Sequence, residues 1–199
     1  NGTASAPIIM TSVADDIQPG QLVGSNLTLQ QGLWGGLIVL GRAPISVSGG
    51  ATAQIEGIPA SDTNGLYGGS DASDNSGIYN YISVRHGGTS IGEGNEINGV
   101  TFGGVGTGTQ VSNIEVVANV DDGIEFFGGT VNASNLLVWA QGDDGLDIDQ
   151  SYSGTVSNSM VILGSNSDHA LEIDGPEGTM EDTYTCLLYT SDAADDTPC

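Results

Sequence analysis

Three segments decide the architecture: Asp121-Asp-Gly-Ile-Glu-Phe-Phe127, Asp143-Asp-Gly-Leu-Asp-Ile-Asp149 and Asp168-His-Ala-Leu-Glu-Ile-Asp174. They begin 22 and 25 residues apart, and a weaker copy, Ile97-Asn-Gly-Val-Thr-Phe-Gly103, begins 24 residues before the first. The fourth and sixth residues of every copy are apolar: Val100 and Phe102, Ile124 and Phe126, Leu146 and Ile148, Leu171 and Ile173. Such alternation marks a strand with one buried face. A strand repeated at this period cannot bury that face alone and must stack on its own copies, as the windings of a solenoid do.

A second strand precedes each copy. Ile82-Ser-Val84, Ile114-Glu-Val116 and Leu136-Leu-Val138 align with one another, and Val161-Ile-Leu163 is expected to continue the column. Two strands with their turns leave room for a third short strand in each winding. The expectation is an all-β, right-handed parallel β-helix over residues 1–185, a truncated piece incomplete at one or both ends. Gly123 and Gly145 are expected at bends that need positive φ. Towards the N-terminus, Pro7-Ile-Ile-Met10 reads as a strand and Trp34-Gly-Gly-Leu-Ile-Val-Leu40 as a buried run opening a coil. The stretch from Ala51 to Ser76 is rich in Gly, Ser, Asp and Asn and reads as a long excursion, with Ile55-Glu-Gly-Ile58 as a short strand inside it.

Composition agrees. With 32 glycines in 199 residues and 38% hydrophobic residues, the chain is too patterned for disorder and too glycine-rich for a helical bundle. No stretch is long and apolar enough to span a membrane, so no transmembrane segment is expected. Twenty-five acidic residues stand against two basic ones, Arg42 and Arg85. A surface this negative repels nucleic acid and anionic membranes, which excludes both as partners. It suits divalent cations, a saline medium or basic partners.

The segment Cys186-Leu-Leu-Tyr-Thr-Ser-Asp-Ala-Ala-Asp-Asp196 resembles the translation of a sequencing-library adapter, as found at the ends of metagenomic reads. Residues 186–199 are therefore read as a non-native tail and kept out of the fold. Both cysteines, Cys186 and Cys199, fall in it, so no disulfide is expected. The chain begins at Asn1 rather than Met, which suits a mature or truncated product.

Longer strings carry a family resemblance. Gly32-Leu-Trp-Gly-Gly-Leu-Ile-Val-Leu-Gly-Arg-Ala-Pro-Ile45, Ile82-Ser-Val-Arg-His-Gly-Gly88, Gly92-Glu-Gly-Asn-Glu-Ile-Asn-Gly99 and Asp121-Asp-Gly-Ile-Glu-Phe-Phe-Gly-Gly-Thr130 resemble exported bacterial β-helix proteins of marine and gliding bacteria. Such proteins are often lipoproteins or carry a secretion-sorting domain, and most have no assigned activity. The resemblance covers nearly all of residues 7–178. It implies a secreted or outer-cell-surface location and says little about chemistry.

The acids form a pattern of their own. If Ile124 and Phe126 point inward, then Glu125, Asp147 and Glu172 point outward in one column, with Asp149 and Asp174 also outward. Asp121, Asp143 and Asp168 stack at the turn entering the strand, beside Asp122, Asp144 and His169. Two carboxylates about 5 Å apart repel by about 0.8 kcal/mol in water and about 3 kcal/mol at an effective dielectric near 20. Summed over stacked columns, the penalty rivals the net stability of a domain. Raised pKa values, salt or bound cations must relieve it. Hard oxygen donors from several coils suit Ca²⁺. The candidate metal ligands are Asp121, Asp122, Glu125, Asp143, Asp144, Asp147, Asp149, Asp168, Glu172 and Asp174. The bland alternative is that the carboxylates splay into solvent. Zinc is not expected, because His86 and His169 are the two histidines and no native cysteine remains.

A catalytic alternative stays open. Asn119-Val-Asp121, Gly142-Asp-Asp144 and Asp168-His169 resemble the motif series on successive coils of polygalacturonase-type glycoside hydrolases. That resemblance implies Asp144 as general acid, Asp121 and Asp143 as activators of water, and His169 as a tuning group. The chain departs from it: His169 lies between Asp168 and Ala170 rather than two glycines, and the downstream basic motif is missing. A lyase would need a base, for which Arg85 is the candidate, although an ion pair with an acid such as Glu115 accounts for it as well. His86 reads as a core or turn histidine and Trp34 as core. Trp139, out of phase with Val138, is a candidate ring for stacking on a sugar. The leading expectation is a non-catalytic, cation-stabilised surface module that contacts polysaccharide or cell-surface glycan.

Overall fold

A computed structural model describes residues 1–18, 21, 24–91 and 97–178. The adapter-like tail and most of the Gly92–Gly99 string lie outside the described residues. The strands, in chain order, are β1 (Ile8–Met10), β2 (Leu37–Leu40), β3 (Ala53–Gln54), β4 (Leu66–Tyr67), β5 (Ile78–Arg85), β6 (Val100–Gly103) and β7 (Gln110–Val117). They continue as β8 (Ile124–Phe127), β9 (Ala133–Trp139), β10 (Leu146–Asp149), β11 (Val156–Ser157), β12 (Met160–Ile162) and β13 (Leu171–Ile173). One parallel sheet runs β1-β5-β7-β9-β11, with β12 also on β9, and a second runs β2-β6-β8-β10-β13. From β5 to β11 successive strands alternate between the two sheets, so that each winding adds a strand to both, which is a parallel β-helix.

The stacking follows the expected register. Leu37, Val100, Ile124, Leu146 and Leu171 lie one over the next, as do Val39, Phe102, Phe126, Ile148 and Ile173. On the facing sheet Ile82, Ile114 and Leu136 form one row, and Val84, Val116, Val138 and Val161 another. Val161 thus pairs with Val138, two positions later than expected from Val161-Ile-Leu163. The inward rows merge into one apolar core. Phe102 and Phe126 stack with ring centroids 5.4 Å apart, and Tyr152 closes on Phe126 at 4.7 Å.

Each winding has three corners, and each corner is a stack of left-handed residues. Asn113 (φ 54°), Asn135 (57°) and Asn158 (51°) follow Tyr81 (51°) at the first. Asparagine tolerates this conformation because its short amide bonds locally. Here the amides also bond along the stack: Asn113 Nδ2 donates to Asn80 Oδ1 at 2.8 Å and Asn135 Nδ2 to Asn113 Oδ1 at 3.2 Å. This corner folds β5, β7 and β9 in two, and the limb before it is the anticipated third strand. His86, Ala118 and Ala140 make the second corner, and Gly104, Gly128 and Gln150 the third.

Gly123 and Gly145 are not among the positive-φ residues, contrary to expectation. They are glycine for lack of space. A methyl group on Gly123 would collide with the Val138 side chain and come within 2.6 Å of the Gly145 carbonyl oxygen. Gly123→Ala is expected to cost about 1–3 kcal/mol in urea unfolding, the usual penalty for overpacking. An unchanged midpoint would mean that the coils separate without resistance.

Two excursions lie on the outside of the coil. The first, formed by the described residues between Thr11 and Gln31, is held by the second corner: His86 Nδ1 lies 2.7 Å from Gln30 O, and Arg85 donates to Gly24 O at 3.3 Å. In the second, β3 and β4 pair antiparallel. The strand expected at Ile55–Ile58 is instead a turn, with Ile58 N donating to Ile55 O and Gln54 Nε2 donating to Ile58 O at 3.1 Å. Ile55 and Tyr67 pack with Phe127, Ile38 and Leu40, so this excursion covers part of the outward face of the second sheet.

Candidate functional site

The turn between β7 and β8 and its copies places the acids. Gly99 N donates to Asp122 O at 2.9 Å, Gly123 N to Asp144 O at 2.8 Å, and Gly145 N to His169 O at 2.9 Å. These bonds set Asn98, Asp122, Asp144 and His169 one over the next. Asp168 N donates to Asp143 O at 2.9 Å, which stacks that pair beside them. The column then bonds along its own length. Asp144 N donates to Asp122 Oδ1 at 2.9 Å, and His169 N donates to Asp144 Oδ1 at 2.7 Å. Each carboxylate thereby satisfies the amide of the next coil. The His169 ring is exposed, with Nδ1 3.2 Å from Asp144 Oδ1 and 3.4 Å from Asp168 Oδ1.

The outward column is Thr101, Glu125, Asp147 and Glu172, as the alternation requires. Its exposure is where expectation fails. Glu125 points away from the core, yet it is only 6% exposed. The second excursion and Asn98 close over it: Asn98 Nδ2 donates to a Glu125 oxygen and to Glu56 Oε1 at 3.3 Å. Asp122, Asp144 and Asp149 are buried as well, whereas Asp168 and Asp174 stay exposed. The ten acids are therefore not one wall. Asp122, Glu125 and Asp147 offer oxygens all within 4.8 Å of one another, and so do Asp121, Asp122 and Asp143. Asp149 lies apart, at the far end of β10, where it interacts with Glu177.

Burial sets the electrostatics. Desolvation pushes Glu125 up to about 11 and Asp122 to about 8, with neighbouring carboxylates adding to both. Asp147 rises to about 6, chiefly through desolvation. Asp143 also rises, through desolvation and the charges of Asp144 and Asp168. Glu172 is raised by its hydrogen bond with Asp144 and then by burial, and Asp149 by burial and by Glu177. At neutral pH Glu125 and Asp122 keep their protons unless a cation takes their place, whereas Asp147 has largely lost its own.

The basic groups are spoken for. Arg85 is buried, with its guanidinium 3.0 Å from Glu115 Oε2 and donating to Ser83 Oγ at 2.7 Å. Arg42 pairs with Asp74 at 3.3 Å. His86 is fully buried, its Nε2 3.1 Å from Ser25 Oγ. Trp34 is half-buried and donates through Nε1 to Arg85 O at 2.7 Å, while Trp139 is 43% exposed on the outer surface. A cavity of about 370 Å³ lies between the second excursion and the solenoid, lined by Ile38, Leu40, Ile58, Asp62, Asn64 and Gly65. None of the candidate acids lines it.

Two participants escaped the reading of the sequence. Asn98 occupies the place of Asp122 and Asp144 in the weakest repeat copy, so alignment of the copies was signal enough. Glu56 sits on the aperiodic excursion, where no register could place it.

The fold and its acidic turn column define an all-β solenoid of parallel strands, and among the described residues no helix is long and apolar enough to cross a membrane. The chain belongs to the family of pectate-lyase-like β-helix domains, which it matches over residues 1–193. No curated protein and no solved structure matches it.

Proposed function

We propose that the chain is a non-catalytic module of the cell surface or of a secreted protein, stabilised by Ca²⁺ and making contact with polysaccharide or surface glycan. The observation that carries this reading is the commitment of Asp144. Its Oδ1 accepts the backbone amide of His169 on the next coil, and Asp122 does the same for Asp144 itself. A glycosidase needs its acid and base facing each other across a groove, with roughly 5–10 Å between them for the sugar. Carboxylates that clamp one coil to the next serve the backbone instead. Arg85, bound to Glu115, is likewise unsuited to be the base of a lyase. The acid excess, the exposed ring of Trp139 and the membership in a pectate-lyase-like family support a carbohydrate setting.

The test is incubation of the protein with polygalacturonate, alginate and neutral glycans in the presence of Ca²⁺. Reducing ends and unsaturated products are assayed, and retention on the immobilised polymers is measured in parallel. Retention without turnover is expected, with Trp139→Ala weakening it. Turnover that disappears in Asp144→Asn would establish the hydrolase with Asp121, Asp143, Asp144 and His169 in place of this reading. Asp144→Ala is expected to cost about 1–3 kcal/mol in urea unfolding, because the His169 amide loses its acceptor.

A further inference from the structure

We infer that the outward faces of β9 and β12 form a platform for an uncharged polysaccharide, with Trp139 as the stacking ring and Leu137, Met160 and Ile162 around it. This rests on the glycan reading above and narrows it to polymers without carboxylate or sulfate groups.

The platform departs from the alternation that builds the sheet. In β9, Leu136 and Val138 face the core, while Leu137 and Trp139 leave the strand on the other side. β12 lies beside it in register, with Met160 next to Leu137 and Ile162 next to Trp139. Four large apolar side chains thus stand two by two on the outer surface. Trp139, Met160 and Ile162 are 43%, 60% and 45% exposed, and Leu137 is half-buried. A strand with one solvated face ordinarily carries polar residues there. Apolar residues exposed singly need no explanation, but contiguous ones mark a contact surface.

The same two columns run back into β7 and β5, one as Glu115 and Ser83, the other as Val117 and Arg85. There the first excursion closes over the face. Arg85 donates to Gly24 O at 3.3 Å, and Val117 and Arg85 are both buried. The cover reaches as far as Gln31, whose Nε2 donates at 3.2 Å to the carbonyl of Ala140, the residue after Trp139. Trp139 therefore stands where the cover ends, with the excursion bordering the platform.

Charge selects the ligand. Twenty-five acidic residues stand against two arginines, and the chain has no lysine. Arg42 is paired with Asp74 and Arg85 with Glu115, the His169 ring sits beside Asp144 and Asp168, and His86 is buried. A uronate or sulfated chain would meet repulsion without a cation to receive it. A second copy, with the same net charge of −23, is repelled for the same reason. An uncharged sugar meets neither cost. Its C–H face packs on the indole while its hydroxyls remain in water at the rim. Glu115, in the row next to Leu137 and with 33% of its side chain exposed, is placed to accept a hydrogen bond from one of those hydroxyls.

The experiment uses the full chain, with neutral β-glucan and galactan as uncharged probes and polygalacturonate as the acidic one, each in Ca²⁺ and in EGTA. Affinity electrophoresis measures retention, and tryptophan emission reports on the ring. A neutral polymer is expected to retard the chain and shift its emission equally in Ca²⁺, in EGTA and at high salt, because no charge is involved. Polygalacturonate is expected to do neither. Trp139→Ala is expected to weaken retention at least tenfold and to abolish the emission shift, Ile162→Ser to weaken it a few-fold, and Trp139→Tyr to keep most of it. Both side chains lie outside the core, so the melting temperature is expected to stay unchanged. Should Trp139→Ala not fold, Ile162→Ser and Trp139→Tyr still decide. Stronger retention on polygalacturonate, with or without Ca²⁺, would overturn the choice of ligand while leaving the glycan reading standing. Retention on a neutral polymer that these variants leave intact would overturn the location. Dimers in sedimentation that dissociate in Trp139→Ala would make the platform a contact between copies and overturn the proposal. Absence of retention on every polymer would overturn both this proposal and the glycan reading.

Discussion

Phe126→Ala is expected to lower the unfolding free energy by about 3–5 kcal/mol, measured by urea denaturation followed by circular dichroism. The side chain is fully buried, at the centre of the row Val39, Phe102, Phe126, Ile148 and Ile173. Its ring stacks on Phe102 at 5.4 Å and meets Tyr152 at 4.7 Å. Truncation removes contacts with the coils on both sides at once. The solenoid has little means of closing the cavity, because each coil is held at the ladder spacing by hydrogen bonds to its neighbours. Ile173, in the same row but 51% exposed at the last described strand, provides the control. Ile173→Ala is expected to cost less than about 1 kcal/mol. Equal losses at the two positions would mean that the row is not a continuous core.

The second large effect is a dependence on pH that Ca²⁺ counteracts. Asp122 and Glu125 titrate in the folded chain at about 8 and about 11, against ordinary values of 3.8 and 4.5. Asp147 follows at about 6. Between the unfolded and folded values the native state holds more protons than the unfolded one, so stability falls as pH rises. The contribution is complete below about pH 4 and is lost as pH rises through the folded values. At about 1.4 kcal/mol per unit, Asp122 alone accounts for a loss on the order of 5 kcal/mol. In EGTA the melting temperature is therefore expected to drop steeply between pH 4.5 and 8. Ca²⁺ binds the deprotonated carboxylates, so its stabilisation grows over the same interval and opposes the fall. A melting temperature in EGTA that is flat or rises with pH would show that these acids are ionised and solvated in the folded chain.

The same cluster explains how an acidic chain tolerates its own charge. Repulsion on a solvated wall would be modest and screened by salt. Here the excursion takes part of the acidic column out of water, which raises the penalty and creates the demand for a counter-charge. The cost is concentrated at Glu125, Asp122 and Asp147 rather than spread over ten carboxylates.

The windings could be read directly from Ile124, Leu146 and Leu171. Strand alternation has a period of two and coil stacking repeats the pattern every winding, so the inward face and the axial neighbours are both written into a single local string. The stacking of Asp122 under Asp144 under His169 came from the same repeat. The reversed reason for Gly123, a collision rather than a torsion, needed the Val138 side chain of the neighbouring coil in place. Burial of Glu125 needed more. Alternation says which way a side chain leaves its own strand, not what another part of the chain lays over it. The segment around Ile55 and Tyr67 has no period, and its seat on Ile38, Leu40 and Phe127 is chosen by shape and apolar area across long separations in the chain. That docking, and with it the difference between a solvated acid and a buried one, was decided by tertiary packing alone.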